Sequence, residues 1–426
     1  MIKKSFALPA FLGTIFSLIR VTVLPVILSP SGYGVISIIS LIKNNQEILK
    51  LGGLDYIVRE LRTEPSINRQ DYLIQLAFNF INTIVLFLTV IAIILLLIYR
   101  PNLIRSLLAI LLFFTLILSL YQGVYKMFRE FREIHLRIYW TGFVESAIIT
   151  FLGILFVSKF GELGYYSANL LSVLFGSVLL YTKIAINGRM RLIKSQELFM
   201  LFHRGKTYLI GSFSQKIFRF SDRFIVLTFL GTELFGVFAF ALSGLDMVKN
   251  LISWQINKNT PMLYSFSGSQ NDYSFLRRMS LGLFISGVLI FVLIMPTSGF
   301  FVRKFYPEYS LAAPIFGWLL IGLITLLMSQ PYAIILGNSI HKLQKEINLI
   351  YLAFGVLNFM VIVISLIWKE SIVLISQITM SISIIASFEI LRLFTAKAGV
   401  KMLRVFLSRI LFVIFAIIAT LVTYGI

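Results

Sequence analysis

The stretch Ser29-Pro-Ser-Gly-Tyr-Gly-Val-Ile-Ser37 decides the fold, because it returns as Gly231-Thr-Glu-Leu-Phe-Gly-Val-Phe-Ala239 at a constant offset of 202. Gly34-Val35 and Gly236-Val237 match, and each pair follows a short turn between two apolar runs. Further on, Asp71-Tyr72 matches Asp272-Tyr273 at an offset of 201, each at the inner end of a run. Outward from these anchors, apolar runs fall at 6–28, 33–54, 73–98, 103–124, 138–158, 164–186, 207–229, 235–257, 279–302, 310–337, 347–367, 371–394 and 405–425. At about 20 residues per spanning helix these are thirteen candidate spans. Both copies then contain six of them in the same in/out sense. The expected fold is an all-α polytopic membrane protein: a six-helix bundle over 1–203, a second over 204–400 related by an internal parallel repeat, and an additional C-terminal hydrophobic helix over 401–426.

Composition points the same way. Of the 426 residues 58% are hydrophobic and 13% charged, with a mean hydropathy of +0.92. Soluble domains run at about 45–50% apolar and about 25% charged, so this chain lacks the polar residues to cover a water-facing surface. The absence of cysteine excludes disulfides, thiolate metal sites and cysteine nucleophiles. The net charge of +20 reads as membrane orientation rather than nucleic-acid binding. Connections before odd-numbered spans hold most of the Lys and Arg. The opposite set holds only Arg100, Arg105, Lys159, Arg303, Lys304 and Lys369. The N-terminus is therefore expected in the cytoplasm. Lys3 and Lys4 precede a run that continues to Leu28 without a cleavage pattern, which reads as a retained first span.

Charges inside the runs carry the functional reading. Leu41-Ile-Lys-Asn-Asn-Gln-Glu-Ile-Leu-Lys50 interrupts the second span, and on a continuous α-helix Lys43, Glu47 and Lys50 share one face. Each charge facing lipid at mid-depth costs about 2.5–3.5 kcal/mol, so the three are expected to face protein or water. Arg20 stands in the first span, Arg219, Asp222 and Arg223 in the seventh, and Asp246 and Lys249 in the eighth. Arg20, Lys43 and Arg219 lie roughly 12–15 Å in from the outer turns at a rise of about 1.5 Å per residue. Six cations against three acids favour a basic, water-filled cavity for an anionic substrate, with a structural ion-pair network as the alternative. Arg20, Lys43, Lys50, Arg219, Arg223 and Lys249 are the substrate-binding candidates. Glu47, Asp222 and Asp246 are candidates for ion coupling. Glu145 and Glu389, isolated in later spans, read equally as proton sites or as buried hydrogen-bonded acids. His135, His203 and His341 fall in connections without metal-ligand spacing, and no phosphate loop, catalytic constellation or cofactor motif is present.

Leu28-Ser-Pro-Ser-Gly-Tyr-Gly34, Leu51-Gly-Gly-Leu-Asp-Tyr-Ile-Val-Arg-Glu60, Ser221-Asp-Arg-Phe-Ile-Val226 and Leu230-Gly-Thr-Glu-Leu-Phe-Gly236 together resemble the polysaccharide flippases of the multidrug/oligosaccharidyl-lipid/polysaccharide exporter superfamily, the O-antigen and capsule repeat-unit transporters. The resemblance spans residues 6 to 394. It implies two six-helix bundles in the bacterial cytoplasmic (inner) membrane. They would move an undecaprenyl-diphosphate-linked oligosaccharide, such as a lipopolysaccharide precursor, from the cytoplasmic to the periplasmic leaflet. Membrane lipids and the polysaccharide polymerase and chain-length proteins are the implied partners. The thirteenth segment departs from the twelve-span pattern. A diphosphate is anionic, and Arg and Lys donors suit it. Two other functions stay open: a cation-coupled drug exporter of the same fold, and a membrane-bound glycan polymerase or transferase.

Overall fold

The computed structural model describes residues 7–50, 52–63, 66–99, 101–131, 135–181, 192–264, 266–338, 343–368, 371–398 and 403–424. Every regular element among them is helical. Nine helical stretches among the described residues are long and apolar enough to cross a membrane. Their outward faces are apolar, with Ile367 and Trp368 80% and 85% exposed, as lipid contact requires and water would not favour. Two of the nine, Trp140–Leu180 and Tyr208–Asn250, run to 41 and 43 residues. At about 1.5 Å per residue each is twice the length that a core of about 30 Å needs. Each breaks at a glycine in a conformation that other residues rarely adopt: Gly161 at φ 57° and Gly231 at φ 82°.

By its internal contacts the chain falls into two compact units, residues 1–28 with 35–212 and residues 29–34 with 213–426. The first holds α1 (Ala7–Ile27), most of α2 (Pro30–Asn45), α3 (Gly53–Thr63), α4 (Ile67–Tyr99), α5 (Leu103–Phe131), α6 (His135–Tyr181) and the start of α7 (Ser195–Ile225). Helix α6 is a hairpin. The Ser172 hydroxyl of its second arm donates to the Glu145 carbonyl of the first at 3.0 Å, and a β-carbon on Gly164 would overlap the Phe156 carbonyl. The expected runs 138–158 and 164–186 are thus its two arms as far as Tyr181, where the described stretch ends. Helix α1 lies along α6, with Phe16 between Phe143 and Phe151 and the Thr150 hydroxyl donating to the Phe16 carbonyl at 3.0 Å.

The second span differs from its expected form. In place of one helix over 33–54, α2 ends at Asn45, a tight 3-10 turn covers Gln46–Lys50, and α3 follows. The polar run is the cause. The Asn45 amide donates back to the Leu41 carbonyl at 2.7 Å, competing with the backbone ladder, and the Gln46 amide reaches Ser119 of α5 at 2.8 Å. The α-helical wheel therefore stops at Asn45, and Lys43 and Lys50 do not share a face by 100° steps. Beyond the turn Gly52 sits at φ 68°, its Cα against the Gly205 carbonyl of α7, where any β-carbon would overlap. Helix α3 is amphipathic and buries Leu54, Ile57 and Leu61 in a core with Phe78, Phe80 and Leu120. Leu54 and Ile57 belong to the Leu51–Glu60 motif, and Tyr56 within it accepts a 2.6 Å hydrogen bond from the Arg204 guanidinium.

The second unit contains the remainder of α7, a π-helical turn at Val226–Leu230, α8 (Gly231–Tyr264), α9 (Gln270–Phe305), α10 (Ala312–Asn338), α11 (Gln344–Trp368), α12 (Ile372–Ala398) and α13 (Leu403–Tyr424). Helix α10 is its axle, packed against α8, α9, α11, α12 and α13. Apolar residues all round it, Leu320, Ile321, Ile324 and Leu327 among them, are buried, as a helix without a polar face demands. Helix α9 starts in a capping box in which the Ser269 hydroxyl and the Asp272 carboxylate satisfy each other's backbone N–H groups. Asp272 is one of the aspartates matched between the sequence copies. The matched glycines themselves meet in this unit: a β-carbon on Gly34 would overlap the Thr232 carbonyl oxygen, and one on Gly236 the Pro30 carbonyl oxygen. The Ser31 and Thr232 hydroxyls lie 3.4 Å apart beside them, and the Tyr33 hydroxyl is 3.1 Å from that of Ser243.

Candidate functional site

In the first unit Arg20 is a half-buried residue of α1, four residues beyond Phe16, so the packing of α1 on α6 fixes its position. Lys43, half-buried, stands in the last turn of α2. Lys50 ends the 3-10 turn, and its side chain runs along Gly123 of α5. A β-carbon at 123 would be in van der Waals contact with the end of that side chain. The side chains of Asn44 and Glu47 lie outside the described residues.

In the second unit α7 presents Arg219, Asp222 and Arg223. The adjoining face of α7 is anchored: Phe218 packs with Ile382 and Ala386 of α12, and Asn358 of α11 donates to the Ser221 hydroxyl at 3.1 Å. Gly355 lets α11 approach the Phe218 backbone closely enough that a β-carbon would crowd it. Arg219 is exposed. Asp222 is 4% exposed, and its carboxylate accepts the Arg223 backbone N–H at 2.8 Å. The Arg223 guanidinium stacks over Phe220 at 4.5 Å, and its buried Nε has no hydrogen-bond partner among the described residues. On α8, Lys249 Nζ lies 3.7 Å from Asp246 Oδ1, with both side chains about half exposed. Such a solvated i,i+3 pair contributes about 0.3–0.5 kcal/mol. No described residue forms an ion pair with Arg20, Arg219, Asp222 or Arg223. Glu389 is not isolated: Arg392 grips it through two hydrogen bonds of 2.5 and 2.8 Å. His203 is exposed and stacks on Phe199.

One charged residue escaped the sequence reading. Arg409 of α13 is 2% exposed, donates to the Met328 carbonyl at 2.5 Å and to the Ser387 hydroxyl at 3.1 Å, and lies 5.4 Å from the centre of the Tyr332 ring. Pro331 lacks the N–H that would bond the Leu327 carbonyl, which weakens the ladder of α10 at this level. Arg409 donates to the neighbouring carbonyl and so ties α13 to α10 and α12. Its signal was a lone arginine inside the apolar run 405–425, close enough to Lys401 and Arg404 to pass as part of the basic connection.

Comparison with solved structures places the fold. The inward-closed lipid II flippase MurJ superposes with a TM-score of 0.74 at 13% identity, covering 98% of this chain and 92% of that one. An inward-facing multidrug resistance MATE transporter of the MOP superfamily gives 0.60 at 16% identity, with 92% and 94% covered. A MOP superfamily transporter from Pyrococcus furiosus, described as having a binding pocket of reversed polarity, gives 0.57 at 11% identity, with 93% and 95% covered. These likenesses establish a fold common to flippases and drug exporters. Curated protein sequences give no match. The family described as polysaccharide biosynthesis protein matches residues 23–304, about two-thirds of the chain, including the repeated turn and the charges of α2, α7 and α8. By that match the chain belongs to the polysaccharide biosynthesis protein family, as its motifs implied.

Proposed function

We propose that this protein flips an undecaprenyl-diphosphate-linked oligosaccharide from the cytoplasmic to the periplasmic leaflet by alternating access, with the basic residues of its apolar helices holding the diphosphate. The observation that carries this reading is a set of intramembrane arginines, Arg20, Arg219 and Arg223, that form no ion pair among the described residues. Charges placed in apolar helices at such cost mark a substrate path. Family membership in polysaccharide biosynthesis and a fold shared with a lipid II flippase make a lipid-linked sugar the fitting anion. Lys43 and Lys50 extend the basic set, and Lys249 joins it when its loose pair with Asp246 opens. Polymerase and chain-length proteins that consume the exported unit are the proposed partners. Arg20→Ala, Lys43→Ala, Arg219→Ala and Arg223→Ala are each expected to lower surface glycan roughly tenfold or more, the loss of one charge-assisted contact, with membrane protein levels unchanged. Export by all four, or failure of all four to insert, contradicts the role.

Orientation follows from the Lys and Arg asymmetry. The N-terminus and the connections near 60, 130, 195, 268, 343 and 397–404 are placed in the cytoplasm of a bacterium. The chain has no cysteine, so single cysteines can be introduced without background removal. A cysteine at 130 or 195 is expected to resist a membrane-impermeant maleimide in intact spheroplasts and to react after lysis. Labelling before lysis contradicts the orientation.

A second reading, cation coupling, is favoured by one observation: Asp222 is buried on α7 beside Arg223 with no ion-pair partner among the described residues. With Asp246 engaged by Lys249 and Glu389 by Arg392, Asp222 is the acid best placed to carry a proton or sodium ion. Such an ion would shift the balance of inward- and outward-open states.

A further inference from the structure

Within the second unit a cavity of 180 Å³ opens among α9, α10 and α13. Its polar lining is Arg277, Ser280, Ser408 and Arg409, its apolar lining includes Leu281 and Phe284, and no acid contributes to it. Arg409 forms no ion pair among the described residues; its partners there are the Met328 and Ser387 carbonyls, the Ser387 hydroxyl and the Tyr332 ring, all neutral. Buried charge without a counter-charge is costly, and Arg277 adds a second positive group to the same space. Ser280 offers no compensation, because its hydroxyl is engaged with that of Tyr332 at 2.5 Å. A cavity with two guanidinium groups and no carboxylate is a receptor for an anion. Its volume, against about 30 Å³ per water, admits a phosphate group.

The apolar half of the lining says which kind of phosphate. Arg277, Leu281 and Phe284 follow at i, i+4 and i+7 along one face of α9, so a charged site gives way to an apolar track along the helix axis. Leu281 is 57% exposed, and Ile285, the next residue on that face, 48%. A headgroup phosphate on the arginines would lay an acyl chain over those side chains. The predicted orientation puts the start of α9 at the cytoplasmic surface, where anionic lipids meet basic pockets between spanning helices.

We propose that this cavity is a structural site for an anionic phospholipid of the cytoplasmic leaflet, its phosphate held by Arg277 and Arg409 and one acyl chain laid along Leu281 and Phe284. The site neutralises the arginine that secures α13. The test uses the full-length protein purified in detergent, titrated with phosphatidylglycerol, phosphatidylethanolamine or inorganic phosphate, and read by native mass spectrometry and thermal melting. Arg277→Gln removes one phosphate donor and Ser408→Leu fills the cavity, while both leave the Arg409 bonds to Met328 and Ser387 in place. Phosphatidylglycerol is expected to bind and raise the melting temperature of the wild type, and to bind each variant roughly tenfold more weakly. Phosphatidylethanolamine and inorganic phosphate at the same concentration are expected to give little shift. Equal retention of phosphatidylglycerol by both variants overturns the site. Equal stabilisation by phosphatidylethanolamine overturns the charge recognition, and stabilisation by inorganic phosphate alone overturns the lipid. None of these readouts involves transport.

Discussion

Gly236→Val is expected to destabilise the protein by about 3 kcal/mol and to remove most of it from the membrane, because the added carbons meet backbone rather than a movable side chain. Even the β-carbon of Gly236→Ala would overlap the Pro30 carbonyl oxygen, and the same carbon at Gly34 would overlap that of Thr232. Close approach of α2 to α8 through two glycines is also what lets the Ser31 and Thr232 hydroxyls meet. Gly282→Ala is the control: it lies on α9 in the same unit with open space around its β-position, where alanine gains roughly 1 kcal/mol in helix propensity. Melting curves of the purified variants measure both. Gly236→Val as stable as Gly282→Ala would show that the two backbones do not meet.

Arg409→Ala carries the other large effect. It removes donors to Met328 and Ser387 and the stacking on Tyr332, and leaves an empty space where α13 met α10. Hydrogen bonds to a charged group contribute about 1.5–3 kcal/mol each. Relief from burying the charge offsets part of that loss. A net destabilisation of roughly 3 kcal/mol is expected once the cavity is included. Arg409→Lys keeps the charge without the planar fork that reaches two acceptors, so it recovers only part of the loss. Thermal melting in detergent reads the series. Arg409→Ala melting with the wild type would mean that the guanidinium does not hold α13 in place.

What the sequence made legible follows from physics that acts locally. Apolar length sets the helices, so the runs found by hydropathy, 33–54 excepted, return as helices over their described residues, and the breaks at Gly161 and Gly231 fall where one run gives way to the next. The motif glycines were legible as punctuation but not as contacts, since the meeting of Gly34 with Thr232 depends on chain neighbours 198 residues apart. The second span was misread because helical periodicity assumes an intact backbone ladder. Asn45 and Gln46 divert that ladder through Leu41 and Ser119, and only the position of α5 reveals the second of these partners. Charge pairing was half legible. The Asp246–Lys249 pair was legible from its i,i+3 spacing, whereas Glu389 read as isolated although Arg392 stands three residues on, and Arg409 has acceptors on α10 and α12 that no spacing announces.

The driving force separates the two readings of the charges. A diphosphate bearing about two negative charges moves outward down an inside-negative potential, which supplies about 2.3 kcal/mol per charge per 100 mV. Potential alone can therefore set the direction, and Asp222 is then a structural acid. The most direct measurement is translocation of an undecaprenyl-diphosphate-linked oligosaccharide in proteoliposomes, with the potential and the pH and sodium gradients imposed separately. The wild type is compared with an Arg219→Ala/Arg223→Ala double variant reconstituted to the same density. A flippase that grips the diphosphate through α7 moves the lipid-linked sugar, follows the potential, and loses that activity in the double variant. Wild-type vesicles that leave the lipid-linked sugar in place but extrude a cationic dye against a proton or sodium gradient would contradict it and make the protein a drug exporter.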